Sequence, residues 1–357
     1  MPRPIRATIS AQALQQNLAV ARSHAGEAKI WAVVKANAYG HGLERAARAL
    51  SAADGFAVLD FQEAERLRAA GVAKPILMLE GFFKPEDLPL LEQHALTPVI
   101  HSMEQVELLK RSALRGPIDV YFKINSGMNR LGFGIDNVRL AYDAVRAHAQ
   151  VRSVTLMTHF ADADGPGGIR AQLDWFEELA KPFDSQLRSL ANSAALIRFP
   201  EARAGWVRPG IMLYGCSPFA DRPADTLGLK PVMTLSSEII ATQLVQPGER
   251  IGYGFGYEAV GEMTIGVVAC GYADGYPRHA PTGTPVLVNG QHSRIVGRVS
   301  MDMICVDISD IPEAYIGTPV TLWGEGLSAD EVAASAGTLS YELLCALAAR
   351  VPVSETA

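Results

Sequence analysis

Eight short apolar runs recur at intervals near 25 residues through the first 225 positions, and most are followed by a stretch of helical periodicity. The runs span residues 29–35, 55–59, 75–79, 97–100, 118–124, 151–158, 186–191 and 205–208. Between them Leu43, Ala46, Ala47 and Leu50 sit at helical spacing, as do Val106, Leu109 and Ala113. Eight βα units in about 225 residues suit a closed barrel, whereas a doubly wound sheet rarely runs so long. The expected fold class is α/β, with a TIM-type (β/α)8 barrel over residues 1–225.

After Pro231 the helical patterns vanish for nearly a hundred residues. Strand-like runs at 263–270, 285–289 and 303–308 are broken by Gly, Pro and Asn turns, so residues 231–357 are expected to form a mostly-β C-terminal domain. A helical tail is expected over 328–337 and 341–350, and a linker over 219–229. The strand-like stretch 5–9 precedes the barrel and is free to pair with the second domain instead.

Several classes are disfavoured. The net charge is −6 and the basic residues are scattered, which argues against a nucleic-acid or anionic-membrane partner. No apolar stretch approaches a membrane span, and the start of the chain lacks the apolar core of a signal peptide. The four cysteines, Cys216, Cys270, Cys305 and Cys345, form no Cys-x-x-Cys and read as reduced thiols. The cytoplasm is the expected location.

In a barrel the functional groups lie just past the C-terminal ends of the strands. Lys35 ends the first run and opens the segment Lys35-Ala-Asn-Ala-Tyr39-Gly-His-Gly42. A lysine there is costly unless it is paired, snorkels to water, or serves as an amine able to form a Schiff base. Arg130 follows the fifth run, His159 ends the sixth, Asn192 and Ser193 follow the seventh, and Arg208, Gly210 and Ile211 follow the eighth. Loops after strands seven and eight are where barrels hold phosphate. Blander readings exist: Ser193 as the N-cap of a helix over 194–198, His159 as a core histidine, Arg208 as a surface arginine. Asp162 and Asp164 read as a turn, and no ligand spacing indicates a metal.

These segments resemble the alanine racemases along essentially the whole chain. The resemblance rests on the Lys35 segment, 123–133, Thr158-His159-Phe160, 191–195 and Arg208 to Gly215. In the second domain it rests on Gly252-Tyr253-Gly254, Gly271 to Gly275, Gly297 to Asp302 and Tyr341-Glu342. Asn125-Ser126 and Leu190 depart from the family pattern.

The resemblance implies an isomerase that racemises L- and D-alanine through a pyridoxal-phosphate aldimine on Lys35. It implies a homodimer with shared active sites, in which Tyr272 of the other subunit is the second base. Tyr39, Ser193, Gly210, Ile211 and Tyr341 would hold the phosphate, with His159 and Asn192 also on the cofactor and Arg208 at its pyridine nitrogen. Arg130 and the Met301 N–H would bind the substrate carboxylate, Asp302 would buttress that loop, and Lys123 is a candidate for carbamylation. A racemase for larger amino acids and a related pyridoxal-phosphate decarboxylase are the alternatives. Enantiomers have an equilibrium constant of unity, so supply of D-alanine as a peptidoglycan precursor and its degradation both stay open.

Overall fold

The computed structural model describes residues 3–183 and 187–356. Eight parallel strands form a nearly closed barrel: Lys29–Val33, Gly55–Val58, Ile76–Met78, Leu96–Ile100, Ile118–Lys123, Val151–Met157, Arg188–Ser189 and Trp206–Val207. The first seven pair each with the next, and the eighth pairs with the first through Lys29↔Trp206 and Ile30↔Val207, which leaves the gap between the seventh and the eighth. The seventh and eighth strands are two residues each, and the bond from Arg208 N–H to the Ala191 carbonyl (2.9 Å) helps close the ring. Of the expected strands, only residue 186 lies outside the described residues.

Both faces of these strands are covered, which is why they read as unbroken apolar runs: all of Gly55–Val58 and Ile76–Met78 is buried. Trp31 stacks on Trp206 (ring centroids 4.1 Å apart) and donates its indole N–H to the Tyr121 hydroxyl at 2.8 Å. Gly55 faces this indole, and a Cβ there would run into the ring. The helix Ala11–Ala25 starts where Ser10 accepts a bond from Ala13 N–H, and it buries Leu14, Leu18 and Ala21 at helical spacing. Asn17 lies on the same face and grips the Lys230 carbonyl (2.8 Å) and N–H (2.8 Å), tying the barrel's exit to its first helix.

The second sheet runs Gln291–Arg294, Pro285–Val288, Pro319–Trp323, Met233–Val245, Arg6–Ser10 and Val353–Thr356, with Met263–Val268 and Ile304–Asp307 joined to it. Its spine is the 13-residue strand Met233–Val245, which bends so that its first half pairs with Pro319–Trp323 and its second with Met263–Val268.

Three expectations need correcting. Arg6–Ser10 pairs antiparallel to Met233–Val245 and parallel to Val353–Thr356, so the opening strand belongs to the second sheet and not to the barrel span of 1–225. Residues 219–229 are no free linker: Phe219, Ala224, Leu227 and Leu229 are buried against the core. The helical tail appears as Ala329–Ala336 and Ser340–Cys345, shorter than expected at its end, and Val353–Thr356 follows as a strand. No helix of the described residues is long and apolar enough to cross a membrane.

Candidate active site

The turn that carries Lys35 has an unusual handedness. Ala36, Asn37, Ala38 and Tyr39 all have φ between 52° and 55°, four consecutive non-glycine residues in the left-handed region. Each costs about 1–2 kcal/mol there, so the surroundings must hold the turn. Glu63 accepts from Asn37 N–H (2.9 Å), and the Asn37 side chain accepts from Leu43 N–H (3.0 Å). His41 is fully buried and its Nδ1 faces two carbonyls, Ala38 at 3.0 Å and Tyr39 at 2.9 Å. Two acceptors on one ring nitrogen mean that Nδ1 carries the proton. Burial lowers the His41 pKa to about 4, so the ring is neutral at pH 7.

Tyr214 lies beneath this turn. It stacks against both Tyr39 and His41 (centroids 4.7 Å in each case) and donates its hydroxyl to the Val33 carbonyl at 2.8 Å. Gly40, at φ 81°, meets the helix Ser340–Cys345, and any Cβ on it would strike the Leu344 carbonyl. Lys35 is left half-buried at the barrel mouth.

Ser193 is not the N-cap of its helix. Asn192 caps it, accepting from Ala195 N–H at 3.0 Å, while the Ser193 hydroxyl accepts from Gly210 N–H at 2.9 Å. The Ser193 hydrogen thereby stays free to donate elsewhere. Tyr39, Ser193, Asn192, Gly210 and Ile211 thus converge, and the Tyr341 ring lies 6.1 Å from that of Tyr39.

Arg208 is buried, and its two terminal nitrogens are spent on four acceptors. Nη1 bonds the Ser189 carbonyl and hydroxyl (both 2.7 Å); Nη2 bonds the carbonyls of Thr158 (2.6 Å) and Leu190 (3.1 Å). No carboxylate pairs with it among the described residues. Burial lowers its pKa to about 10, which leaves it cationic.

Lys123, Asn125, Ser126, Arg130, Thr158 and His159 line one cleft beside it. Lys123 is buried, and burial followed by the charges of Arg208 and Arg130 lowers its pKa to about 8. Burial, then Arg208, Lys123, Arg130 and Lys35, pushes His159 down to about 3, so it is neutral. Four cationic side chains therefore act on one imidazole with no carboxylate among these causes. Such a mouth suits a ligand that brings its own negative charge, and a phosphate plus a carboxylate would fit. The departure at Asn125 leaves local bonding intact, since its side chain accepts from Gly127 N–H (3.1 Å) and Asn129 N–H (3.0 Å).

Tyr272, Met301 and Asp302 lie on the second domain. No hydrogen bond, ion pair or ring contact joins them to the barrel-mouth residues among the described residues. Tyr272 is 37% exposed and Met301 52% exposed. Another tyrosine stands out further: Tyr253, at 72%, is the most exposed aromatic side chain among the described residues. It sits between Gly252 and Gly254, both at positive φ, with the Arg298 guanidinium packed along Gly254. The motif Gly252-Tyr253-Gly254 was visible in the sequence without its function; two glycines flanking a tyrosine were the signal. Glu63 was missed for want of any local pattern, and His41 and Tyr214 stood inside the motif segments without an assigned role.

A parallel barrel with a cationic mouth and an appended β domain is the architecture of the two-domain barrel class of pyridoxal-phosphate enzymes, and the comparisons with known proteins place the chain there. Residues 9–218 match the family "Alanine racemase, N-terminal domain" and residues 232–354 match "Alanine racemase, C-terminal domain". The chain is 55% identical to the alanine racemase of Ralstonia nicotianae, across 99% of this chain and 96% of that one. It is 54% identical to the catabolic alanine racemase of Salmonella typhimurium over 100% of both chains. The crystal structure of the biosynthetic alanine racemase from Pseudomonas aeruginosa superposes with a TM-score of 0.97 at 47% identity, covering 99% of this chain and 100% of that one. The chain belongs to the alanine racemase family.

Proposed function

We propose that this protein interconverts L- and D-alanine as a cytoplasmic homodimer whose active sites are shared between subunits. The observation that carries the reading is the mouth of the barrel: an amine on a strained turn, set among cations that form no ion pair with a carboxylate among the described residues. Pyridoxal phosphate, when bound, supplies a ring that withdraws electrons from the substrate and makes its α-proton acidic.

The chain's own groups do the rest. Lys35 anchors the cofactor and carries a proton to or from one face of the α-carbon. Tyr39, Ser193, Gly210, Ile211 and Tyr341 hold the phosphate, with Asn192 and His159 alongside. With its terminal nitrogens spent, Arg208 has its Nε–H to donate to a ring nitrogen but no proton to give up, which would keep electron withdrawal mild and favour return of the proton over other outcomes. Arg130 and the Met301 N–H hold the substrate carboxylate. Tyr272 and Tyr341 are bulky and leave room for a small side chain.

Inversion needs a second proton carrier on the opposite face, and a tyrosine of the partner subunit fits. Tyr272 is the residue that the sequence suggested. Exposure favours Tyr253, because a side chain that must enter another subunit has to project from its own.

Turnover measured across a panel of L-amino acids tests the reading. L-alanine should lose its optical activity fastest; faster racemisation of serine, lysine or arginine would shift the assignment to a broader racemase, and release of carbon dioxide to a decarboxylase. Borohydride treatment of the yellow holoenzyme should fix the cofactor on Lys35, and attachment elsewhere would overturn the site.

A further inference from the structure

Among the described residues Asp274 is the one buried carboxylate of the second domain that the proposed reaction does not use, and its side chain is fully enclosed. It accepts four hydrogen bonds. Oδ1 takes Arg3 Nη1 at 2.9 Å and Arg350 Nε at 2.8 Å; Oδ2 takes Arg3 Nη2 at 3.2 Å and the Gly271 N–H at 2.9 Å. Each arginine also reaches the neighbouring loop. Arg3 Nη2 donates to the Asp302 carbonyl at 2.7 Å, and Arg350 Nη2 donates to Asp302 Oδ1 at 2.6 Å. Two guanidinium forks, one near each end of the chain, thus have one prong in the Tyr272 turn and one in the Met301 loop.

The two loops are registered at their closest approach. Tyr272 N–H donates to the Ser300 carbonyl and Ala273 N–H to the Met301 carbonyl, both at 3.0 Å. Gly271 lies so near Ser300 and Met301 that any Cβ would collide with their backbone. The frame beneath is locked, yet the side chains above it are exposed. Among the described residues the Met301 N–H donates to no group, so a locked loop presents a free donor. A buried carboxylate held by two arginines is poor value as a stabiliser, because its desolvation offsets much of the attraction; it does fix geometry.

We propose that Arg350 and Arg3 are positioning residues for substrate binding. Through Asp274 and Asp302 they set the Tyr272 turn and the Met301 loop at the geometry in which both meet the partner's barrel. This rests on the shared-site reading above.

Arg350→Ala leaves Asp274 with Arg3 and the Gly271 N–H, so the domain should still fold, while Asp302 loses its side-chain partner. The KM for L-alanine should rise about 10-fold, with kcat falling less and the cofactor's absorbance and affinity unchanged. Arg350→Lys, which returns the charge without the fork, should recover part of the loss. Asp302→Asn should move KM in the same direction, and melting temperatures control for folding. The decisive measurement mixes Arg350→Ala with the inactive Lys35→Ala chain. In a hybrid dimer one site then joins an intact Lys35 to intact loops, and it should turn over with the wild-type KM. An unchanged KM in folded Arg350→Ala, or hybrids that keep the raised KM, would overturn the proposal. A parallel mixture of Lys35→Ala with tyrosine variants separates the failures. Recovery there without recovery of the Arg350 hybrid sinks only the positioning role, and recovery in neither sinks the shared site itself.

Discussion

The hydroxyl of Tyr39 lies against Gly210, so close that a Cβ built on the glycine would come within 2.7 Å of it. The same glycine donates its N–H to Ser193, and the two side chains meet over one small corner of the barrel mouth. Gly210→Ala should push the phenol aside and open the phosphate corner. Cofactor affinity should fall about 10-fold or more, read by titrating apoprotein with pyridoxal phosphate and following visible absorbance. Tyr39→Phe keeps the ring and should weaken binding less than Gly210→Ala. An alanine variant that binds with native affinity would remove this corner from the site.

Lys123 would become an anion on carbamylation. Its pKa near 8 supplies a neutral amine just above physiological pH, whose nitrogen can add to carbon dioxide with loss of a proton. The resulting carbamate would face Arg130 and Arg208 and cancel part of the mouth's surplus charge. Added bicarbonate should therefore lower the KM for alanine more at pH 9 than at pH 7, and Lys123→Met should abolish the response. Electron density that ends at a bare ammonium, in crystals grown with bicarbonate, would count against the modification.

His41 predicts an acid limit to stability. Its folded pKa near 4 lies below the ordinary 6.5, so between these values the unfolded chain takes up a proton that the folded one refuses. Above pH 6.5 the group contributes nothing; as pH falls towards 5 it removes about 2 kcal/mol. His41→Asn retains a donor for the Ala38 and Tyr39 carbonyls and cannot titrate. Denaturant midpoints at pH 7.5 and pH 5 should differ less in this variant than in the native protein, and an equal difference would show that His41 titrates normally.

Subunit exchange distinguishes the two tyrosines. Lys35→Ala is expected to lose racemisation by several orders of magnitude, since it removes both an anchor and a proton carrier. Mixed 1:1 with a variant of the trans-acting tyrosine, half the dimers are hybrids with one whole site each, and about a quarter of native activity should return. Tyr253→Phe and Tyr272→Phe are each tested. The true second carrier is the one that is dead alone and restored in the mixture; a variant that stays active alone is excluded.

The strands of the barrel could be read in advance because burial on both faces leaves no polar alternation to blur them. The rim residues were legible for a related reason, since a barrel puts chemistry at one end of every strand. The handedness of the Lys35 turn was not. No glycine at 36–38 marks it, and of the residues that impose it only His41 is local, while Glu63 and Tyr214 arrive from elsewhere in the fold. Arg3 and Asp274 were beyond reach, for nothing local links residues so far apart. Val353–Thr356 is exposed throughout and becomes a strand only by lying beside Arg6–Ser10.

That last pairing has a consequence for synthesis. Residues 6–10 leave the ribosome long before both neighbours of their strand, 233–245 and 353–356, which follow only after the whole barrel has been made. At about 5–20 residues per second the segment waits on the order of 10–50 s with both hydrogen-bonding edges bare. A nascent chain of this fold is therefore open to mispairing at residues 6–10 for as long as their partner strands are missing.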